Sequence, residues 1–149
     1  MNLNKINKIH IISVGGSIMH DLAINLKNLG HNVSGSDDII YNPSKSNLKK
    51  NKLLPNKFGY FINNINKDLD FVITGMHTKK NNVELLQAKK YKIPIYSYPE
   101  LIRKFSENKH RIVIAGSHGK TTITSIIMHV LKKNKVKFDY LIGGKAKGF

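Results

Sequence analysis

The sequence predicts an α/β protein: a mostly parallel, doubly wound sheet domain that runs on into the start of a second α/β domain. Three observations predict it. Short apolar, β-branched runs alternate with helix-period segments along the chain, the order that builds parallel sheets. The runs at 8–14 (Lys-Ile-His-Ile-Ile-Ser-Val) and 69–74 (Leu-Asp-Phe-Val-Ile-Thr) are nearly continuous in apolar residues, as strands buried on both faces are. Each is followed by a glycine turn, and a third run, Ile112, Val113 and Ile114, leads into Ala-Gly-Ser-His-Gly-Lys-Thr-Thr at 115–122.

Residues 8–14 make the first strand and Gly15-Gly16-Ser17 the turn after it. Residues 18–29 predict a helix, with Ile18, Leu22 and Leu26 on one stripe and Gly30 at its end. Residues 31–34 predict a short second strand, closed by Gly35-Ser36-Asp37-Asp38. A polar helix follows at 44–52 and a short strand at 58–61. The strand at 69–74 runs into Gly75-Met76-His77-Thr78, and residues 82–91 predict a helix with Val83, Leu86 and Lys90 in register. Residues 95–97 read as a strand, and 99–105 as a helix with Pro99 well placed in its first turn. Residues 106–110 (Ser-Glu-Asn-Lys-His) read as a polar linker, which puts a domain boundary near Asn108 and divides the chain into 1–108 and 109–149. The second part predicts a strand at 111–115, a helix at 122–133 and a strand at 140–143.

Composition narrows the function classes. At 149 residues the chain is long enough for one domain, or for one domain and part of another, and 40% hydrophobic residues support a core. There is no cysteine, which excludes disulfides and thiolate metal sites and fits a reducing compartment. The start of the chain is polar, without a signal-peptide core, and no apolar run approaches bilayer length, so a cytoplasmic protein with no membrane partner is expected. The formal net charge of +16, from 25 Lys and Arg against 9 Asp and Glu, raises a nucleic-acid partner. The lysines are scattered and often sit beside asparagine, and Lys, Asn and Ile all have A/T-rich codons, so genomic base bias accounts for the charge. No basic strand carries the aromatic residues that stack bases, and no specific nucleic-acid partner is expected.

The chemistry is concentrated at 116–122. The commonest phosphate loop needs a glycine at position 114, where Ile114 stands; the shorter form G-x-x-G-K-T is complete from Gly116 to Thr121. Between a buried strand and an apolar helix this order makes a phosphate cradle. Gly116, Ser117, His118 and Gly119 supply backbone N–H groups, and the new helix adds its positive end. Lys120 reaches the outer phosphates, Thr121 offers a hydroxyl to Mg²⁺, and Thr122 enters the helix. ATP with Mg²⁺ is the expected cofactor pair, and Lys120 and Thr121 are the expected catalytic residues.

The first loop is a degenerate dinucleotide fingerprint. The first and last glycines of G-x-G-x-x-G are absent, but Gly15-Gly16 before a helix still lets a pyrophosphate approach the backbone. Asp37 stands about 20 residues further on at a strand end, where a carboxylate either accepts a ribose or base hydrogen bond or is a turn aspartate. Ligands on such sheets bind at the carboxyl ends of strands, which here are Gly15-Gly16-Ser17, Ser36-Asp37 and Met76-His77-Thr78. His77 is either a ligand contact or a turn residue. Asn82 and Glu84 are positioned to cap or orient their helix.

With both loops in place the chain resembles the front of a Mur ligase. The matching pieces are Ile9-His10-Ile11-Ile12 with Gly15-Gly16, then Val33-Ser34-Gly35-Ser36-Asp37, then 115–122, then Leu141-Ile142-Gly143-Gly144. The resemblance implies a Rossmann-like UDP-sugar-binding domain followed by the start of a P-loop ATPase domain. It also implies a ligase that phosphorylates the lactyl carboxylate of UDP-N-acetylmuramate with ATP, so that an amino-acid or peptide amine displaces phosphate. Gly15, Gly16, Ser17, Ser36, Asp37 and His77 would then meet the UDP-sugar, and residues 116–122 the ATP phosphates. Two branches share this kind of N-domain: one adds L-alanine, the other recycles the tripeptide L-Ala-γ-D-Glu-meso-diaminopimelate. The segment 35–54, with Tyr41-Asn42-Pro43 and Ser46, residues 95–99, and the G-G-x-x-x-x-F pattern of 143–149 look more like the recycling branch. Ser13 and Ile18 stand where the alanine-adding enzymes commonly have glycine, and Val83 where proline is usual. A Mur ligase is considerably longer, so its remaining Mg²⁺ ligands, adenine pocket and amino-acid domain are expected beyond Phe149, with a separate polypeptide as one source. The alternative of another class is a non-catalytic nucleotide-binding module for NAD or a UDP-sugar.

Overall fold

The structure is a computed structural model and describes residues 5–142. The chain divides into two compact units, Met1–Asn108 and Lys109–Phe149. The first unit is a Rossmann-like four-stranded parallel sheet of β1 (Lys8–Ile12), β2 (Asn32–Ser36), β3 (Phe71–Thr74) and β4 (Ile95–Ser97), in the order β2-β1-β3-β4. Its helices are α1 (Ser17–Asn28), α2 (Ser44–Lys50), α3 (Val83–Lys90) and α4 (Tyr98–Phe105), with a 3₁₀ turn at Ile62–Asn64.

Strand alternation sorts the side chains onto two faces. Ile9 and Ile11 of β1 join Phe71 and Ile73 of β3 in one core, closed by Met19, Ala23 and Leu26 of α1, Leu48 of α2 and Leu101 of α4. Ile12 and Val72 join Ala88 of α3, Ile65 and Ile93 in a second core. His10 breaks the apolar run of β1 without breaking the strand, because its buried ring finds polar partners in Ser34, Ser36 and Glu84.

The chain leaves β1 toward β2 on one side and returns to β3 on the other. The loops after β1 and β3 therefore part at the sheet's switch point, where such folds open a crevice. β1 ends at Ile12, before the expected Val14, because Ser13 turns to a left-handed φ of 65°. Residues 58–61 do not form a strand; they contribute one antiparallel bridge, Gly59 to Asp37, and then enter the 3₁₀ turn. α3 and α4 begin with partnered N–H groups: Asn82 Oδ1 accepts from Glu84 and Leu85, and Glu100 reaches back to the Ser97 N–H at 2.7 Å.

The second unit contains α5 (Lys120–Lys133), which starts two positions before the expected Thr122. The expected strands at 111–115 and 140–143 are absent among the described residues, and Gly143 lies outside them, as does the rest of 143–149. A strand exists only through ladder partners, and no described segment of this unit pairs with 111–115. Ile112 is 57% and Val113 82% exposed in consequence. No helix of the described residues is long and apolar enough to cross a membrane.

Candidate functional site

The crevice of the first unit is lined by the β1–α1 loop and braced from below. The Gly15 N–H donates to Asp37 Oδ2 at 2.7 Å, and the Tyr60 hydroxyl donates to Asp37 Oδ1 at 3.2 Å. Tyr60 also meets Ser13 Oγ at 3.0 Å, and Ser13 Oγ meets Thr78 Oγ1 at 3.4 Å. One polar web thus joins the loops after β1, β2 and β3. Burial pushes the Asp37 carboxyl above its ordinary value, opposed by the Gly15 N–H; burial, with the Asp37 and Asp38 charges, raises the Tyr60 hydroxyl as well. On the other side of the loop, buried His20 places Nδ1 3.0 Å from the Gly16 carbonyl and 3.0 Å from Ser44 Oγ, tying the helix start to α2.

Gly16 is the N-cap of α1, and among the described residues no side chain caps that helix. Gly16 and Ser17 are exposed at its positive end, where orphan N–H groups await an acceptor. His77 is exposed on the loop after β3.

Ser36 and Asp37 differ from expectation. Ser36 is 1% exposed and turns its hydroxyl to Glu84 Oε2 at 2.5 Å, into the sheet face and away from the loop surface. Asp37 is 7% exposed and acts as the loop's internal acceptor, the turn-aspartate reading of the sequence. The physical reason is register: Ser36 pairs with the last residue of β1, so its side chain follows His10 and Ser34 onto the α3 face. His20 and Tyr60 were not singled out by the sequence; Ser13 was noted only as a departure from the glycine pattern and Thr78 only as part of the loop after β3, and neither was given a bracing role.

In the second unit the loop at 116–119 turns through two positive φ values, 149° at Gly116 and 77° at Gly119, and Gly119 is the N-cap of α5. Lys120 lies in the first helical turn and folds its ammonium back over the loop, 2.5 Å from the Gly116 carbonyl and 3.0 Å from that of Ser117. Ser117, His118, Thr121 and Thr122 are all exposed around it. A left-handed glycine beside a bare helix start makes the concave run of N–H groups that suits a polyphosphate, and Lys120 is the cation beside it. Thr121 exposes a hydroxyl at the start of α5; among the described residues no group of three or more acidic or histidine side chains supplies a full metal shell.

A shallow cavity of about 390 Å³ lies elsewhere, at the amino ends of β1 and β2 between Lys8, Lys27 and His31. It lies at the opposite end of the sheet from the β1–α1 loop, and the strand-end geometry is the better guide to the site in this unit.

Residues 8–110 match the model of the Mur ligase family, catalytic domain. The chain is 36% identical over 145 residues to the UDP-N-acetylmuramate–L-alanine ligase of Geobacter sulfurreducens, covering 95% of this chain and 30% of that protein. It is 37% identical to the enzyme of the same name from a Sulfurihydrogenibium species, over 97% of this chain and 31% of that one. Among solved structures it is similar to the UDP-N-acetylmuramate:L-alanyl-gamma-D-glutamyl-meso-diaminopimelate ligase from Neisseria meningitides, with a TM-score of 0.77, 28% identity, and coverage of 97% of this chain and 45% of that one. The UDP-N-acetylmuramate–alanine ligase of Thermotoga maritima gives a TM-score of 0.68 and 27% identity, over 87% of this chain and 30% of that one. The chain thus spans about a third of the length of these two curated relatives.

Proposed function

The chain belongs to the Mur ligase family, and on that premise we propose that it is the N-terminal part of an ATP-dependent ligase acting on UDP-N-acetylmuramate. The UDP-sugar occupies the crevice at the carboxyl end of the first sheet, against Gly15, Gly16, Ser17 and His77, with Asp37 holding the loop in shape. ATP lies on residues 116–122, its outer phosphates against Lys120, with Mg²⁺ held by Thr121 and by ligands supplied elsewhere. Bound Mg²⁺ would neutralise charge on the transferring phosphoryl group. The observation that carries the reading is the second loop: two positive-φ glycines, an uncapped helix start and a lysine ammonium already folded over it. On this reading residues 1–108 are the UDP-sugar domain and 109–149 the start of the ATPase domain, and the reaction belongs in the cytoplasm, where ATP is available.

For the acceptor we favour the tripeptide L-Ala-γ-D-Glu-meso-diaminopimelate, a reading supported by the Neisseria likeness over nearly the whole chain. The second reading, L-alanine, is supported by the names of the curated relatives. A ligase of the relatives' length that carries this chain tests both. Phosphate release should require UDP-N-acetylmuramate and proceed with the tripeptide; release with L-alanine alone selects the second reading. Lys120→Ala should abolish release and leave UDP-sugar binding intact, and unchanged turnover would remove the loop from the reaction. Saturable binding of NAD by this chain, with none of UDP-N-acetylmuramate, would replace the proposal with a nicotinamide-binding module.

A further inference from the structure

Glu84 is a buried carboxylate that the proposed reaction does not use. It sits in the first turn of α3 with no exposed surface, and it is saturated with donors from three places. Oε2 accepts from Ser36 Oγ at 2.5 Å and from His10 Nε2 at 3.3 Å, on the sheet face. Oε1 accepts from the Phe61 N–H at 3.0 Å and from Asn64 Nδ2 at 2.7 Å, on the segment that leads through the 3₁₀ turn. Burial would raise this carboxyl, but the hydrogen bonds from His10, Ser36 and Asn64 hold it below its ordinary value, so the acceptor is ionised. An acceptor-only carboxylate places the His10 proton on Nε2.

The two ends of this bridge are sequence neighbours of the crevice braces. Ser36 precedes Asp37, and Phe61 follows Tyr60. Asp37 and Tyr60 hold each other, Gly15 and Ser13. A buried carboxylate is expensive to place in a fold, and His10 and Ser36 occupy buried sheet positions where apolar side chains would pack at lower cost. A bridge that only joined α3 to the sheet would not need Oε1 turned to residues 61–64.

We propose that Glu84 is a positioning residue for the nucleotide-sugar crevice: it fixes the distance between the β2 end and the 60–64 segment, and through Asp37 and Tyr60 it sets the shape of the Gly15–Gly16 loop. The ligand named in the test rests on the function proposed above; the positioning itself does not.

The test pairs ligand affinity with a readout that needs no ligand. Glu84→Gln keeps the volume but cannot accept at both ends with both atoms. Calorimetry on this chain should show UDP-N-acetylmuramate binding weakened about tenfold, a size expected from a misplaced loop. Hydrogen exchange should show the Gly15 amide exchanging faster relative to Ile73 of β3. Leu101→Ala, a core change on the opposite sheet face, should lower stability while leaving both readouts at wild-type values once the protein is folded. Tyr60→Phe combined with Glu84→Gln should lose less than the product of the single losses, because both act on the same brace. If Glu84→Gln does not fold, Asn64→Ala removes one tether of Oε1 and should give the same pattern at smaller size. Wild-type affinity together with unchanged Gly15 exchange in these variants overturns the proposal. Failure of the wild-type chain to bind UDP-N-acetylmuramate would instead count against the function, and Gly15 exchange would still decide the role of Glu84.

Discussion

An alanine at Gly15 would carry its Cβ to 2.9 Å from Asp37 Oδ2 and 2.9 Å from Ile40 Cγ1, closer than real Cβ atoms come. Neither neighbour can withdraw freely: Ile40 is 5% exposed in the core, and Asp37 is held by Gly15 itself and by Tyr60. Overpacking of this kind costs about 1–3 kcal/mol, and losing the hydrogen bond from Gly15 to the carboxylate adds about 1.5–3 kcal/mol. The sum, roughly 2.5–6 kcal/mol, lowers the melting midpoint of a domain this size by about 10 °C or more. Gly16 is the contrast. Its φ of −58° and ψ of 148° suit any L-residue, and a Cβ there would meet nothing nearer than Met19 Cγ at 3.5 Å. Gly16→Ala should therefore change stability by less than about 1 kcal/mol, since a slightly poorer N-cap is offset by lower unfolded-state entropy. If a diphosphate lies against this backbone, the same methyl group blocks it. Thermal melts by circular dichroism, followed by titration with UDP-N-acetylmuramate, separate the two effects. A Gly15→Ala midpoint within about 2 °C of wild type would refute the steric argument, and a Gly16→Ala protein binding the UDP-sugar as wild type does would remove the ligand from this loop.

Three further outcomes follow from particular contacts. Asn82→Ala removes the acceptor for the Glu84 and Leu85 N–H groups and should destabilise the first unit by about 1 kcal/mol in urea titrations, with Asn82→Ser recovering most of it. The folded Glu84 carboxyl titrates below its ordinary 4.5, so its stabilisation is fully present above that value and is lost as pH falls through the lower folded one. Urea midpoints should accordingly drop as pH falls below 4.5 more steeply in wild type than in Glu84→Gln; equal slopes would assign acid sensitivity to other groups, among them Asp70, whose carboxyl is lowered by the Lys8 N–H. Amides 112–115 have no ladder among the described residues, so their hydrogen exchange in a monomer should be much faster than that of Phe71–Thr74. Equal protection would show a pairing partner that the described residues do not supply.

The local grammar of this chain was legible in the sequence because it depends on neighbours in sequence. The strand runs around Ile11 and Val72, Pro99 in the first turn of α4 and the G-x-x-G-K-T loop each declare themselves within a few residues. So did Asn82, whose cap lies two and three residues downstream. The α1 stripe was legible only in part, since Leu26 is buried but Ile18 is 50% exposed and Met19 and Ala23 face the core instead. Glu84 was legible only as a helix-orienting residue, since two of its four partners, His10 and Ser36, come from strands far away in the chain.

What only the tertiary structure decided is which side of each residue faces what. Asp37 at a strand end offers a carboxylate, but whether that carboxylate meets a ribose or the Gly15 amide depends on how closely the β1 loop passes it, and here it passes at 2.7 Å. Ser13 departs from the glycine pattern, yet tertiary contacts from Tyr60 and Thr78 hold it in the left-handed turn that glycine would adopt freely. The run 111–115 has strand composition, and composition cannot supply a ladder: hydrogen-bond partners come from elsewhere in the fold, and among the described residues none pairs with it. The sequence by itself therefore determined most of the succession of strands, turns and helices in the first unit, with 58–61 the exception, and the glycine and lysine pattern of the 116–121 loop, because these are short-range properties. The brace beneath the crevice required the fold, because its bonds join residues that only the β2-β1-β3 pairing and the Asp37–Gly59 bridge bring within reach.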